Sequence, residues 1–218
     1  MHPPASIAEL PAIVRLFPLG GAILLPRAVM PLNIFEPRYL AMVKDALAGD
    51  HLIGIVQPKG DWKSETPPLF AVGGLGRITQ YSETGDGRIL IALSGLIRFH
   101  IARELLATTP YRQVEVHYAQ FQSDWSPPEP LAPIARASLE STLKTYLEGQ
   151  DLSADWEAVK SADDEGLVNT LSVVCPLDSI ERQALLEAGS LPDRASTLTA
   201  LMTFAQGAGG AATDSTMQ

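Results

Sequence analysis

The sequence predicts an α+β chain: a strand-rich first half carrying one packed helix, then an α-helical second half. Three observations carry that expectation. Apolar residues alternate with period two between Phe70 and Tyr118, the run Ser126-Pro127-Pro128-Glu129-Pro130 interrupts the chain, and beyond it leucines recur at helical spacing. The 218 residues, 46% hydrophobic and 19% charged, can bury a sizeable core as one domain or two small ones.

Residues 1–12 are expected to be flexible, with the β-rich part running from 13 to 122. The stretch Ala12 to Pro26 is apolar, but Arg15, Pro18, Gly20 and Gly21 break it, so it cannot form a spanning helix. No basic segment leads into a clean apolar one at the N-terminus, and the expectation is a soluble, unsecreted, cytoplasmic protein. Pro37 is a good first helical residue, because the N–H it lacks would have had no partner there. Leu40, Val43 and Leu47 then fall on one stripe beside Tyr39 and Met42, and Gly49 stops the helix.

Two strand-like runs, Phe70 to Ser82 and Arg88 to Leu93, flank Gly85-Asp86-Gly87 and read as a hairpin. Alternation continues with Ile97, Phe99 and Ile101 against Arg98, His100 and Ala102. It returns with Val114, Val116 and Tyr118 against Gln113, Glu115 and His117. One buried and one wet face is the pattern of antiparallel sheet, which puts Arg98, His100 and His117 on the wet side.

A proline-rich connector is expected over 123–132 and a helical part over 133–205. Within it, Leu139, Leu143 and Leu147 mark a helix from about Ile134 to Glu148, and a second runs from about Asp163 to Val174, halted by Pro176. Asp178 with Glu181, and Ser190 with Asp193, resemble capping boxes that start two more. Residues 206–218 are nearly free of apolar bulk and are expected to be disordered.

Catalytic arrangements are missing from this pattern. No Gly-Lys-Ser/Thr phosphate loop occurs, and His2, His51, His100 and His117 lack the pairing of a helical zinc site. Gly73-Gly74-Leu75-Gly76 lacks the third glycine of a dinucleotide loop, so these glycines read as relief for a bent or bulged strand. Cys175, the one cysteine, lies in an apolar run and reads as an inert core thiol. No metal or cofactor is expected.

The net charge of −9 is lopsided: residues 1–118 hold 11 Lys+Arg against 10 Asp+Glu, and residues 119–218 hold 5 against 15. A nucleic-acid binder normally carries a basic stripe that neutralises phosphates, and none is present.

Leu16-Phe17-Pro18-Leu19, Leu24-Leu25-Pro26 and Pro31-Leu32-Asn33-Ile34-Phe35-Glu36-Pro37-Arg38-Tyr39 follow one another in order. Gly95-Leu96-Ile97-Arg98-Phe99, Pro110-Tyr111 and Arg182-Gln183-Ala184-Leu185-Leu186-Glu187 come after them. Together these phrases resemble the Lon protease N-terminal, substrate-binding domain family over about Ile13 to Phe204. The resemblance implies a PUA-like antiparallel β pseudo-barrel with one packed helix, followed by a C-terminal α-helical bundle. It also implies recognition of unfolded or partner polypeptides. Lon proteases continue into an AAA+ ATPase and a Ser/Lys peptidase, and the sequence carries motifs of neither, so a free-standing, non-catalytic binding module is expected, acting in protein quality control as an adaptor or chaperone-like factor, with or without a separate protease.

Pro18, Pro26, Phe35, Glu36, Pro37, Arg38 and Tyr39 are assigned to the structural signature, with Glu36 at the first helical turn and Arg38 bridging to a neighbouring loop. Candidates for polypeptide contact are Trp62, Lys59 and Lys63, an aromatic in a polar loop. PUA-like barrels also bind RNA, which is the alternative reading, disfavoured by the charge distribution.

Overall fold

The structure is a computed structural model that describes residues 4–60 and 66–211, with side chains through 206. The chain divides into two compact units, Met1–Pro127 and Pro128–Gln218.

The first unit is a barrel-like sheet. Its strands are β1 (Ile13–Pro18), β2 (Val29–Ile34), β3 (Leu52–Val56), β4 (Val72–Glu83), β5 (Ile89–Leu105) and β6 (Gln113–His117), with α1 (Pro37–Ala48) between β2 and β3. Their order is β2-β5-β4-β3-β1-β6, and a further β5–β6 pairing closes β5-β4-β3-β1-β6 into a ring. The 17-residue β5 makes this possible. Its first part pairs with β2, its last part with β6, and β4 runs along it from Ile89 to His100. Most pairs are antiparallel, as expected, but β1 and β3 are parallel, so the sheet is mixed. All five residues of β3 are buried, which gives a continuous apolar run with no period-two signature.

The glycines act as more than bulge relief. Register shifts between Leu75 and Gly76, so a bulge is present, but the larger effect is close approach by a neighbouring segment. A Cβ on Gly74 would lie 2.0 Å from the Leu24 carbonyl oxygen, and one on Gly95 2.0 Å from that of Leu25. The segment Ile23–Pro26, buried throughout, therefore crosses β4 and β5 at backbone contact. Pro26 belongs to this crossing.

Arg98 corrects the period-two reading. It was expected on a wet face, yet it is 2% exposed. Its Nε donates to Asp124 Oδ2 at 2.8 Å and its Nη2 to Oδ1 at 2.8 Å, while its backbone N–H donates to Oδ2 at 2.9 Å. The guanidinium also stacks 4.5 Å from the Phe121 ring centroid. These contacts fasten the 3-10 segment Ala119–Trp125 to β5, so part of the expected connector is buried structure of the first unit. Arg27, with a left-handed φ of 62°, donates from Nη1 to the Asp124 carbonyl oxygen at 2.6 Å.

The second unit is a helical bundle of α2 (Pro133–Gly149), α3 (Trp156–Ser161), α4 (Asp164–Val174), α5 (Ser179–Glu187) and α6 (Leu191–Ala211). Three starts are set by aspartates: Asp155 caps α3, Asp163 caps α4, and Asp178 forms a full capping box with Glu181 at α5. Arg182 closes the C-terminus of α4, donating to the carbonyls of Ser172, Val173 and Cys175. The short α3 went unanticipated, and α6 runs to Ala211, beyond the expected onset of disorder. The expected flexible N-terminus contains a 3-10 turn at Ile7–Glu9.

Two stability predictions follow from these contacts. Asp124→Ala removes the carboxylate that the buried Arg98 guanidinium grips with two bonds, and urea unfolding is expected to show a loss of about 3–5 kcal/mol. The double replacement Arg98→Met with Asp124→Leu removes both charges and recovers most of that loss; equal deficits for the two variants would contradict the ion-pair account. Gly74→Ala is expected to cost about 3 kcal/mol because backbone must move, whereas Gly85→Ala should stay within about 0.5 kcal/mol, since nothing lies within 4 Å of the added methyl group.

Candidate functional site

At one end of the barrel, the C-terminus of β1, the link from β2 into α1 and the loops after β3 and β5 enclose an open groove of about 910 Å³. Period-two packing explains what faces it. Ile34 ends β2 buried in the core, so Phe35 is turned outward and stands 64% exposed at the lip. Pro37 then starts α1, which carries Tyr39 down to the floor at 6% exposure, its ring 4.2 Å from that of Phe17. Pro18, Pro58, Pro67 and Pro110 line the walls, and their restricted backbones keep the shape with little residual freedom to lose on binding.

Polar contacts brace these walls from behind. Tyr111, 6% exposed, donates from its hydroxyl to Asp45 Oδ2 on α1 at 2.6 Å. Arg112 makes two bonds of 2.6 Å to the Glu104 carboxylate and a third, of 2.7 Å, to the Pro67 carbonyl. Burial raises the Tyr39 hydroxyl above the ordinary phenol range, with the neighbouring Arg38 opposing the shift. Burial likewise raises Tyr111, helped by its bond to Asp45. Both phenols are therefore neutral at physiological pH.

Several signature residues meet here: Pro18, Phe35, Glu36, Arg38 and Tyr39 all line the groove. Pro37 shapes it from the first turn of α1, while Pro26 belongs to the Ile23–Pro26 crossing. Among the described residues Arg38 forms no bridge to a neighbouring loop; it pairs with Glu36 at 2.8 Å, and its guanidinium lies 4.7 Å from the Tyr39 ring centroid. Both charged side chains are more than 40% exposed, so water screens the pair. Glu36 occupies the N-cap position without a side-chain capping bond.

Among the polypeptide-contact candidates, Trp62 and Lys63 lie outside the described residues. Lys59 is exposed, with its ammonium 5.3 Å from the Phe70 ring centroid. Sequence reasoning did not bring Pro58, Pro67 or Arg112 to this site. Each is remote along the chain from the β2–α1 phrase, and no local pattern links them.

Other titratable candidates stand apart from the groove. His100 and His117 face each other across β5 and β6, the first half-buried and the second exposed. Cys175 is 4% exposed and its thiol is pushed up by burial, which makes it a poor nucleophile. No group of three or more His, Cys, Asp or Glu side chains suited to a metal ion occurs among the described residues. No helix among them is long and apolar enough to cross a membrane.

Comparison with known proteins adds a family to this geometry. The family model described as ATP-dependent protease La (LON) substrate-binding domain matches residues 13–203. The Lon protease of Flavobacterium johnsoniae is 24% identical over 192 residues, 86% of this chain and 23% of its own. That of Anaeromyxobacter dehalogenans is 27% identical over 128 residues, 56% of this chain and 15% of its own. The chain thus spans less than a quarter of the length of these relatives. Among solved structures, a Lon N-terminal domain protein from Xanthomonas campestris aligns with a TM-score of 0.60 at 24% identity, covering 86% of this chain and 97% of that one. The N-terminal domain of a Mycobacterium avium complex Lon protease aligns with a TM-score of 0.62 at 18% identity, covering 88% and 98%. These two likenesses establish the fold.

Because the Glu36–Arg38 pair is exposed, Arg38→Ala is expected to change unfolding free energy by no more than about 0.5–1 kcal/mol. Thermal denaturation of the variant checks it, and a loss of several kcal/mol would restore the fold-fixing role.

Proposed function

Because this chain belongs to the ATP-dependent protease La (LON) substrate-binding domain family, we propose that its groove holds segments of other polypeptides. The protein acts as a non-catalytic adaptor or chaperone-like factor in protein quality control, in the cytoplasm, and hands clients to a separate protease. The observation that carries this reading is the groove itself. An exposed Phe35 stands above a floor of Phe17 and Tyr39, between proline walls braced by Tyr111 and Arg112. Aromatic anchors in a preorganised recess are where interface energy concentrates.

The charges support an apolar mechanism. Arg38 and Arg112 at the groove are each paired with a carboxylate. The first unit, residues 1–127, holds 11 Lys+Arg and 11 Asp+Glu, so no net field draws a charged ligand toward it. An RNA ligand would need cations available to phosphates, and the paired arginines do not supply them. Trp62, Lys59 and Lys63 fall in the sequence between Pro58 and Thr66, two residues that line the groove, which keeps them as contact candidates.

A fluorescently labelled, reduced and carboxymethylated model protein tests this reading through anisotropy titration. Phe35→Ala and Trp62→Ala are each expected to weaken binding by about 1–2 kcal/mol, with the urea midpoint of Phe35→Ala unchanged, because Phe35 is already exposed. Binding should vary little between low and high salt. Unchanged affinity in both variants, or a steep loss with salt, would contradict the proposed mechanism.

A further inference from the structure

Among the described residues, β2 lies outside the ring of paired strands and is bonded to β5 on one side only. Gly95 N–H donates to the Ala28 carbonyl at 2.8 Å, so that carbonyl points toward β5, while the Ala28 N–H donates to the Leu25 carbonyl at 3.2 Å. Antiparallel pairing alternates, and the register from Val29↔Ser94 to Ile34↔Ile89 runs without a shift. Met30, Leu32 and Ile34 therefore also bond inward, while Val29, Pro31 and Asn33 present their backbone groups to the open edge. Pro31 fits this phase, since a proline on the inward side would break the ladder. Among the described residues, no hydrogen bond reaches the outward groups of Val29, Pro31 or Asn33.

We infer that this edge binds one extended segment of a client polypeptide as an added strand, an inference that rests on the polypeptide-binding reading and names the main-chain part of the same site. Two N–H donors, on Val29 and Asn33, and three carbonyl acceptors, on Val29, Pro31 and Asn33, lie at strand spacing. Another extended backbone is the ligand whose groups alternate at that repeat. The edge leads directly into the groove, because Leu32 and Asn33 line it just before Phe35. A strand lying on β2 thus delivers its next side chains to the aromatic recess. Pro31 also selects the occupant. A second copy pairing edge to edge would bring a missing donor on both strands, whereas a client strand meets only one.

The test is amide hydrogen exchange by NMR on the whole chain, with and without the reduced, carboxymethylated model protein. Slowed exchange at Val29 and Asn33 on binding, with the inward amides of Met30 and Leu32 protected in both states, is the expected result. Asn33→Pro removes one outward donor without touching the ladder to β5 and should weaken binding about five-fold. If this variant misfolds, the exchange pattern of the wild type decides alone. Binding that depends on Phe35 while the Val29 and Asn33 amides exchange as fast as before would overturn the added strand and leave the groove intact. Absence of any binding would overturn both.

Discussion

The bidentate bond between Arg98 and Asp124 organises the first unit, because it converts a stretch of chain that follows the last strand into part of the barrel wall. A charge taken this far from water, at 2% exposure, persists only with its partner in place. Asp124 is that partner, accepting from Nε, from Nη2 and from the Arg98 backbone N–H. Phe121 covers the guanidinium face, and Arg27 reaches the Asp124 carbonyl from the crossing segment. One carboxylate thus joins β5, the segment after β6 and the chain between β1 and β2.

β5 makes that junction consequential. It is the strand shared by β2, β4 and β6, so its position fixes both the closure of the ring and the edge strand that leads to the groove. The glycines at 74 and 95 let Leu24 and Leu25 lie against this strand pair at backbone distance, so the crossing fills the barrel where side chains would otherwise have to fit. The groove inherits its shape from this rigid base. Its aromatic floor is an extension of the core, since Phe17 and Tyr39 belong to the same buried cluster as Leu24, Ile34 and Leu93.

What could be read from the sequence was local. The hairpin at Gly85-Asp86-Gly87, the start of α1 at Pro37 and the capping box of Asp178 and Glu181 each follow from residues within a few positions of one another. The phrase from Pro31 to Tyr39 marked one wall of the groove for the same reason. Long-range pairing was hidden. Arg98 occupies a polar position in an alternating strand and its partner is 26 residues away in a stretch that reads as connector, so period-two logic placed it in water. The parallel neighbour of β1 escaped notice because β3 is buried on both faces. Pro58, Pro67 and Arg112 reach the groove only through barrel closure, which no local pattern encodes.

The helical unit differs in its electrostatics. Residues 128–218 carry 5 Lys+Arg against 14 Asp+Glu, and Arg136, Arg182 and Arg194 spend their donors on internal carbonyls and carboxylates. Its surface charge is thus chiefly acidic, while the unit with the groove is balanced. The central claim is that client polypeptide contacts the groove lip, and site-specific photo-crosslinking tests it most directly. A benzophenone amino acid replaces Phe35 in one variant and Leu106, a fully exposed residue outside the groove lining, in another. Illumination with an unfolded model protein is expected to give adducts from position 35 and few from position 106. Equal yields, or adducts from position 106 alone, would contradict the account.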